Sequence, residues 1–357
     1  MATPSAAPKS ESPPAVSTVS AEARAVHEAA TPIDLHSDTT KFLARGYDIW
    51  KRHEPSWLVR GIGGHVDVPR MREGNLCGQF FSMWTFPKPE AGCFAEVNRQ
   101  IDALLQAADR QPGLRLCRSA EDVTAARAHG EVAALLGIEG GQCLGGEGAK
   151  PLSAVERLTA LGQRGVRYLG LLHFSSNALG FPAMGWGQDH SLGLTPLGCE
   201  VVDACARLGI LVDLAHINRR GFFDVVARKP GPLLVSHTGV VGVTPHWRNI
   251  DDEQVRAIAD TGGVVGVIFA PRYLGQDSLE GVVAHLEHLV RVAGEDAVAL
   301  GSDFDGFVRP VRNLTSPADL PSLTEALLRA GQPARVVHKI LGDNVLRMLR
   351  AAPPVHA

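Results

Sequence analysis

Short apolar runs alternate along the chain with longer stretches in which apolar residues recur every three or four positions. The runs fall at 31–38 (TPIDLHSD), 75–84, 132–141, 166–174, 210–217, 232–239, 263–270 and 297–306. Most are continuous and rich in Val, Leu and Ile, the pattern of parallel strands covered on both faces. Between them, 95–110, 119–130, 153–165, 195–209, 251–263 and 278–294 carry helical periodicity, and several open on Ser, Thr or Asp and close on Gly. Eight strands alternating with helices fit either a (β/α)8 TIM barrel or an open, doubly wound sheet. A barrel collects its chemistry at the C-terminal ends of several different strands, and this separates the two.

Those ends carry His36 and Asp38 on the first run, Glu139 on the third, His173 on the fourth, His216 on the fifth, His237 on the sixth and Asp303 on the eighth. Buried strand ends carry such side chains only occasionally, so six ends out of eight favour the barrel. His36 and Asp38, two apart, point to one side of a strand and offer a nitrogen and an oxygen to one cation. Alone, an H-x-D pair is more often a satisfied polar pair, and an isolated His a packed one; the agreement among strand ends changes the reading. Glu139 ends the apolar run LLGIEGG, where an unpaired carboxylate is costly and needs a cation or strong donors. With His36 and Asp38 on one side and His216 and His237 on the other, it can bridge two metals about 3.5 to 4 Å apart. Imidazoles with hard oxygens suit zinc best, and no Lys ends a run to compete as the bridge. Asp303 is expected to take the proton of a metal-bound water. Asp305 is read as a turn acid capping the next helix.

Composition adds limits. The 357 residues exceed a usual domain but suit one barrel, and 45% hydrophobic with 20% charged residues are globular values. Lys and Arg total 35 against 38 Asp and Glu, a net charge of −3 without a basic cluster, so neither nucleic acid nor an anionic membrane surface is an expected partner. The six cysteines form no C-x-x-C pair and read as buried thiols in a reducing compartment. Residues 1–30, rich in Ala, Ser and Pro, read as a flexible tail, 31–350 as one catalytic barrel and 351–357 as a C-terminal tail. No signal peptide, membrane span or lipid-anchor signal is recognisable, so the cytoplasm is the expected location. Serine-esterase, P-loop and H-E-x-x-H motifs are absent. Asn313 opens a formal glycosylation sequon read as a loop, and His285 and His288, three apart, read as a solvated helix face.

The ordered blocks DLHSD, HVDVPRMREGNLCGQFFS, GIEGG, RYLGLLHFSSNALG, LTPLGCEVVDACARLGILVDLAHI, PLLVSHTGV, HWRNIDDEQV, GSDFDG and GDNVLRML, spread from about residue 31 to 350, resemble the membrane (renal) dipeptidase family, binuclear zinc peptidases with an amidohydrolase-like barrel. The resemblance implies one zinc on His36 and Asp38, a second on His216 and His237, and Glu139 bridging them. It also implies His173 at the substrate carbonyl, Arg248 on the substrate carboxylate and Asp303 in proton transfer. The expected reaction is dipeptide hydrolysis by a metal-bridging hydroxide, extending to dipeptides with a C-terminal D-residue. The alternatives are a barrel hydrolase acting on another small amide, lactam or ester, and a silent barrel used as a scaffold. A homodimer is one open option for the assembly.

Overall fold

The computed structural model describes residues 19–54, 63–85, 92–145 and 152–352. Among the described residues nine parallel strands are present: β1 (Ile33–Ser37), β2 (Gly78–Trp84), β3 (Leu114–Leu116), β4 (Val132–Glu139), β5 (Val166–Gly170), β6 (Leu211–Asp213), β7 (Leu233–Thr238), β8 (Val264–Val267) and β9 (Val298–Leu300). β2 pairs with β4, the order continues β5 through β9, and β9 pairs with β1 at Asp34–Leu300, so eight strands close into a (β/α)8 barrel. All eight expected runs are these barrel strands. β3 stands outside the ring, paired with the first residues of β4 on the flank that β5 takes over from Leu136 onward. At three residues it is too short to leave a periodicity in the sequence.

Both faces of the strands are buried. One apolar cluster takes Leu35, Phe80, Leu135, Tyr168, Leu211, Leu234, Val264 and Ala299 from the eight strands, together with Val345 and Met348 of the last helix. The alternate residues, among them Leu136, Ile138, Leu169, Val212, Val235, Val265 and Leu300, join the larger cluster with the surrounding helices. This two-sided burial is why the runs read as unbroken apolar stretches. The six expected helices are present, and Ser119, Ser153 and Asp251 each close a capping box at a helix start.

Three expectations differ from the structure. Residues 21–29, assigned to a flexible tail, are helical: Ser20 caps Ala21–Ala29 and binds Glu325 at 2.6 Å, while His27 is buried against Thr324 and the Gly74 carbonyl. The Ala-rich composition that suggested disorder is equally good helix-forming material once an acid and a hydroxyl anchor it. Residues 1–18 and 353–357 lie outside the described residues. His285 and His288 form no solvated face: both are buried, His285 Nδ1 accepting from the Val240 N–H at 2.9 Å and His288 paired with Asp252 at 2.7 Å. Asp305 caps no helix; fully buried, it accepts from the Thr39 hydroxyl at 2.7 Å and the His65 N–H at 2.7 Å, tying the start of the short helix Thr39–Leu43 and the loop at His65 to the barrel mouth. All six cysteines are free thiols, five buried and Cys199 half-buried. No helix among the described residues is long and apolar enough to cross a membrane.

Candidate active site

The strand ends converge. His36 is the fourth residue of β1, and Asp38 lies one residue beyond the strand, where the chain turns into the short helix Thr39–Leu43. The turn, and not strict strand alternation, therefore brings Asp38 Oδ1 to 3.5 Å from His36 Nε2. Backbone bonds knit this end to that of β9: Asp38 N–H donates to the Phe304 carbonyl at 2.9 Å and Asp303 N–H to the His36 carbonyl at 3.2 Å. Glu139 is the last residue of β4, followed by Gly140 at φ +88°, where a Cβ would meet the Gln142 side chain at 2.1 Å. His216 and Asp303 lie past the ends of β6 and β9, and both adopt left-handed backbone (φ +66° and +61°). Non-glycine residues rarely take that conformation, and here it turns each side chain into the mouth.

Glu139 is the hub. Its Oε1 lies 2.9 Å from His216 Nε2, 3.4 Å from His237 Nε2 and 3.7 Å from His36 Nε2, while Oε2 is 3.7 Å from His173 Nε2. Asp303 Oδ1 stands 4.0 Å from His36 Nε2. Three overlapping ligand sets result: His36, Asp38 and Glu139; Glu139, His216 and His237; and His36, His237 and Asp303. The six residues of these sets are buried and His173 is half-buried; among the described residues, His36 Nε2, Asp38 Oδ1, Glu139 Oε2 and His173 Nδ1 have no hydrogen-bond partner. Native interiors rarely tolerate so many orphaned polar atoms in one place. His216 Nε2 and His237 Nε2 face each other at 3.0 Å, close to the separation of about 3.3 Å that two nitrogens take on one tetrahedral metal. The donor set therefore fits metal ions.

Electrostatics agree. Burial pushes Asp38 and Glu139 well above the carboxylate range, and the charge of Asp38 pushes Glu139 further. Burial likewise lifts Asp303 to about 8, with Asp38 adding to it. Burial holds His216 and His237 well below the imidazole range and His173 down to about 3, so these rings are neutral, as metal ligands must be. Acids that resist ionisation beside neutral imidazoles are the signature of a site completed by positive charge.

Arg248 is buried at the rim, its Nη2 donating to the His237 carbonyl at 2.9 Å. It lines the small cavity that also contains Asp38, Glu139, His173, His216, His237 and Asp303. A second cavity of about 230 Å³ adjoins it, bordered by His216, Arg248, Trp247 and His246. All eight residues singled out in the sequence thus meet in one mouth. Sequence reasoning missed their supports. Asp34 accepts from Ser302 N–H and Oγ (2.8 and 2.6 Å) and from Gln79, tying β1 to β9 and β2. Trp84 and Phe174 pack their rings against His173 at 5.7 and 4.7 Å, and Tyr273 lines the cavity. Asp34 left one signal, lying two residues before His36 in D-L-H-S-D.

Residues 20–357 match the membrane dipeptidase family, peptidase family M19. Dipeptidase tcpJ of Claviceps purpurea (strain 20.1) is 30% identical over 340 residues, covering 91% of this chain and 77% of that protein. A metallopeptidase from Rhodobacter sphaeroides, solved with a phosphinate mimic of the dipeptide L-Ala-D-Ala, is 27% identical, covers 91% of this chain and 99% of its own, and superposes with a TM-score of 0.78. The probable dipeptidase PvdM of Pseudomonas aeruginosa, at 19% identity over 92% of this chain and 97% of its own, shares the fold with a TM-score of 0.81. By sequence and by barrel alike, the chain belongs to the membrane dipeptidase family, peptidase family M19, and is a metal-dependent dipeptidase.

Proposed function

We propose that this enzyme binds two zinc ions and cleaves the peptide bond of dipeptides, those with a C-terminal D-residue included. The observation that carries this reading is Glu139, one carboxylate reaching His36 on one side and His216 and His237 on the other. His36, Asp38 and Glu139 would hold one ion and Glu139, His216 and His237 the other, and bound zinc supplies Lewis acidity and an acidified water. Nitrogen and hard oxygen donors without thiolate favour zinc over softer-site metals. The free thiols fit a reducing compartment, and a cytoplasmic enzyme is part of the proposal.

The chain's own groups divide the remaining work. Asp303 faces His36 and the cavity, and as a carboxylate it would accept the proton of the attacking water and return it to the leaving amine. His173, neutral and braced by Trp84 and Phe174, donates to the carbonyl oxygen as negative charge grows on it. Arg248 keeps guanidinium N–H groups beyond the one on His237 and pairs them with the free carboxylate that every dipeptide carries.

The pairing at Arg248 is testable on substrate and enzyme together. A charge-assisted bond contributes on the order of 1.5 to 3 kcal/mol, roughly tenfold to a hundredfold in kcat/KM. Arg248→Met is expected to lower kcat/KM by that factor for free dipeptides and to change it little for C-terminally amidated ones, with zinc content unchanged. Equal losses on both substrates, or wild-type enzyme that cleaves amides as fast as acids, would remove carboxylate recognition and favour a hydrolase of another amide, lactam or ester. Zinc removal gives a second check. A ligand present at a thousandfold its Kd stabilises the folded chain by about 4 kcal/mol, so a chelator should lower the melting temperature and added zinc should restore it; an unchanged melting curve would argue against ions in this site.

A further inference from the structure

Two histidines of the cluster, His36 and His237, are held at Nδ1 by a hydroxyl whose own proton is used elsewhere. Tyr168 Oη lies 3.0 Å from His36 Nδ1 and 3.2 Å from the carbonyl oxygen of Leu35, which can only accept. The phenol thus donates to Leu35, its oxygen accepts from the His36 Nδ1–H, and Nε2 is left with its lone pair. Ser236 repeats the arrangement. Its Oγ donates to Asp213 Oδ2 at 2.6 Å and lies 2.9 Å from His237 Nδ1, so it accepts the Nδ1–H and again frees Nε2. The fully buried Asp213 is fixed in turn, its Oδ1 accepting from the N–H groups of Ser236 (2.8 Å) and Ala215 (3.0 Å). Tyr168 reaches His36 because β4 carries Gly137 beside it, where a Cβ would stand 2.1 Å from the phenol ring.

We propose that Tyr168 and Ser236 are positioning residues acting on different metal ions. Tyr168 works through His36 on the ion shared with Asp38; Ser236, with Asp213 behind it, works through His237 on the ion shared with His216. This rests on the two-ion reading above. Ser236→Ala leaves a buried Nδ1–H without an acceptor and releases the ring to the tautomer that carries its proton on Nε2, the atom facing the ion. Tyr168→Phe does the same at His36. Partners of this kind set the orientation and basicity of ligating imidazoles, and their loss weakens metal binding by roughly tenfold to a hundredfold.

The test is a zinc titration of the apo full-length chain against a chromophoric chelator, with apo thermal unfolding recorded for every variant. The parent should bind two ions. Tyr168→Phe and Ser236→Ala should each weaken one ion by that factor and leave the other at the parent affinity, and Ser236→Thr, which keeps the hydroxyl, should stay near the parent. Against a His36→Ala background, Tyr168→Phe should add no further loss, whereas Ser236→Ala should. A parent that binds fewer than two ions overturns the two-ion reading itself. Variants that match the parent at both ions, or weaken both equally, overturn this proposal alone. If Tyr168→Phe does not fold, the contrast between Ser236→Ala and Ser236→Thr decides it.

Discussion

Glu139→Gln should cost the enzyme both metal ions and with them nearly all turnover, while leaving the apo protein at least as stable as the parent. The carboxylate lies within 3.7 Å of His36, His216 and His237 and is the one residue shared by the two sets proposed to hold the ions, so only its replacement takes a donor from both. A neutral amide of the same shape is a far poorer ligand. Metal ions supply several kcal/mol of transition-state stabilisation, so the loss in kcat should be on the order of a thousandfold or more. Stability moves the other way. Folding raises the pKa of Glu139 through burial and the nearby Asp38; such an acid costs stability at pH values above its unfolded pKa, increasingly so until its folded pKa is passed. Removing it from the metal-free protein at neutral pH lifts that cost. His36→Ala, by contrast, should mainly empty one site. Metal analysis with apo melting curves checks all three statements, and a Glu139→Gln enzyme that retains two ions would sink the bridging role.

Asp303→Asn should keep the metals and lose most turnover. General acid–base groups contribute about a hundredfold to ten-thousandfold, and the amide cannot carry the proton. Asp303 hangs on left-handed backbone past β9, its Oδ1 4.0 Å from His36 Nε2, and in the metal-free chain burial lifts it to about 8. Asp305 is two residues away, but both its oxygens are engaged in the interior by Thr39 and His65. Asp305→Asn should therefore loosen the loops and lower the melting temperature with a milder effect on turnover. The reverse pattern, with turnover abolished at Asp305 and intact at Asp303, would exchange the two assignments within GSDFDG.

The site was legible in the sequence because its chemistry sits at the ends of unbroken apolar runs, where a charge has no ordinary reason to be. Glu139 at the close of VAALLGIE is the clearest case. His173, His216 and Asp303 lie past the last paired residues of β5, β6 and β9, and run and motif located them even though strand geometry alone would not aim them. The supports were not legible. Asp34 meets Ser302 across 268 residues of chain, Tyr168 meets His36 across 132, and Ser236 meets Asp213 across 23; each contact exists only after the barrel closes. His285 and His288 show the opposite failure. Their spacing suited an exposed helix face, but the helix Leu279–Ala293 packs so tightly against the barrel that both histidines are buried and hydrogen-bonded.

The proposed role of Glu139 is to join two zinc ions into one peptide-cleaving site. Its most direct test is the zinc-to-protein ratio of the purified enzyme, taken on the same sample whose hydrolysis of L–L and L–D dipeptides is followed. Two zinc ions per chain, with cleavage of dipeptides that disappears on chelation and returns with zinc, is the predicted result. A preparation that cleaves dipeptides at full rate with one ion or none, even after zinc reconstitution, would contradict it.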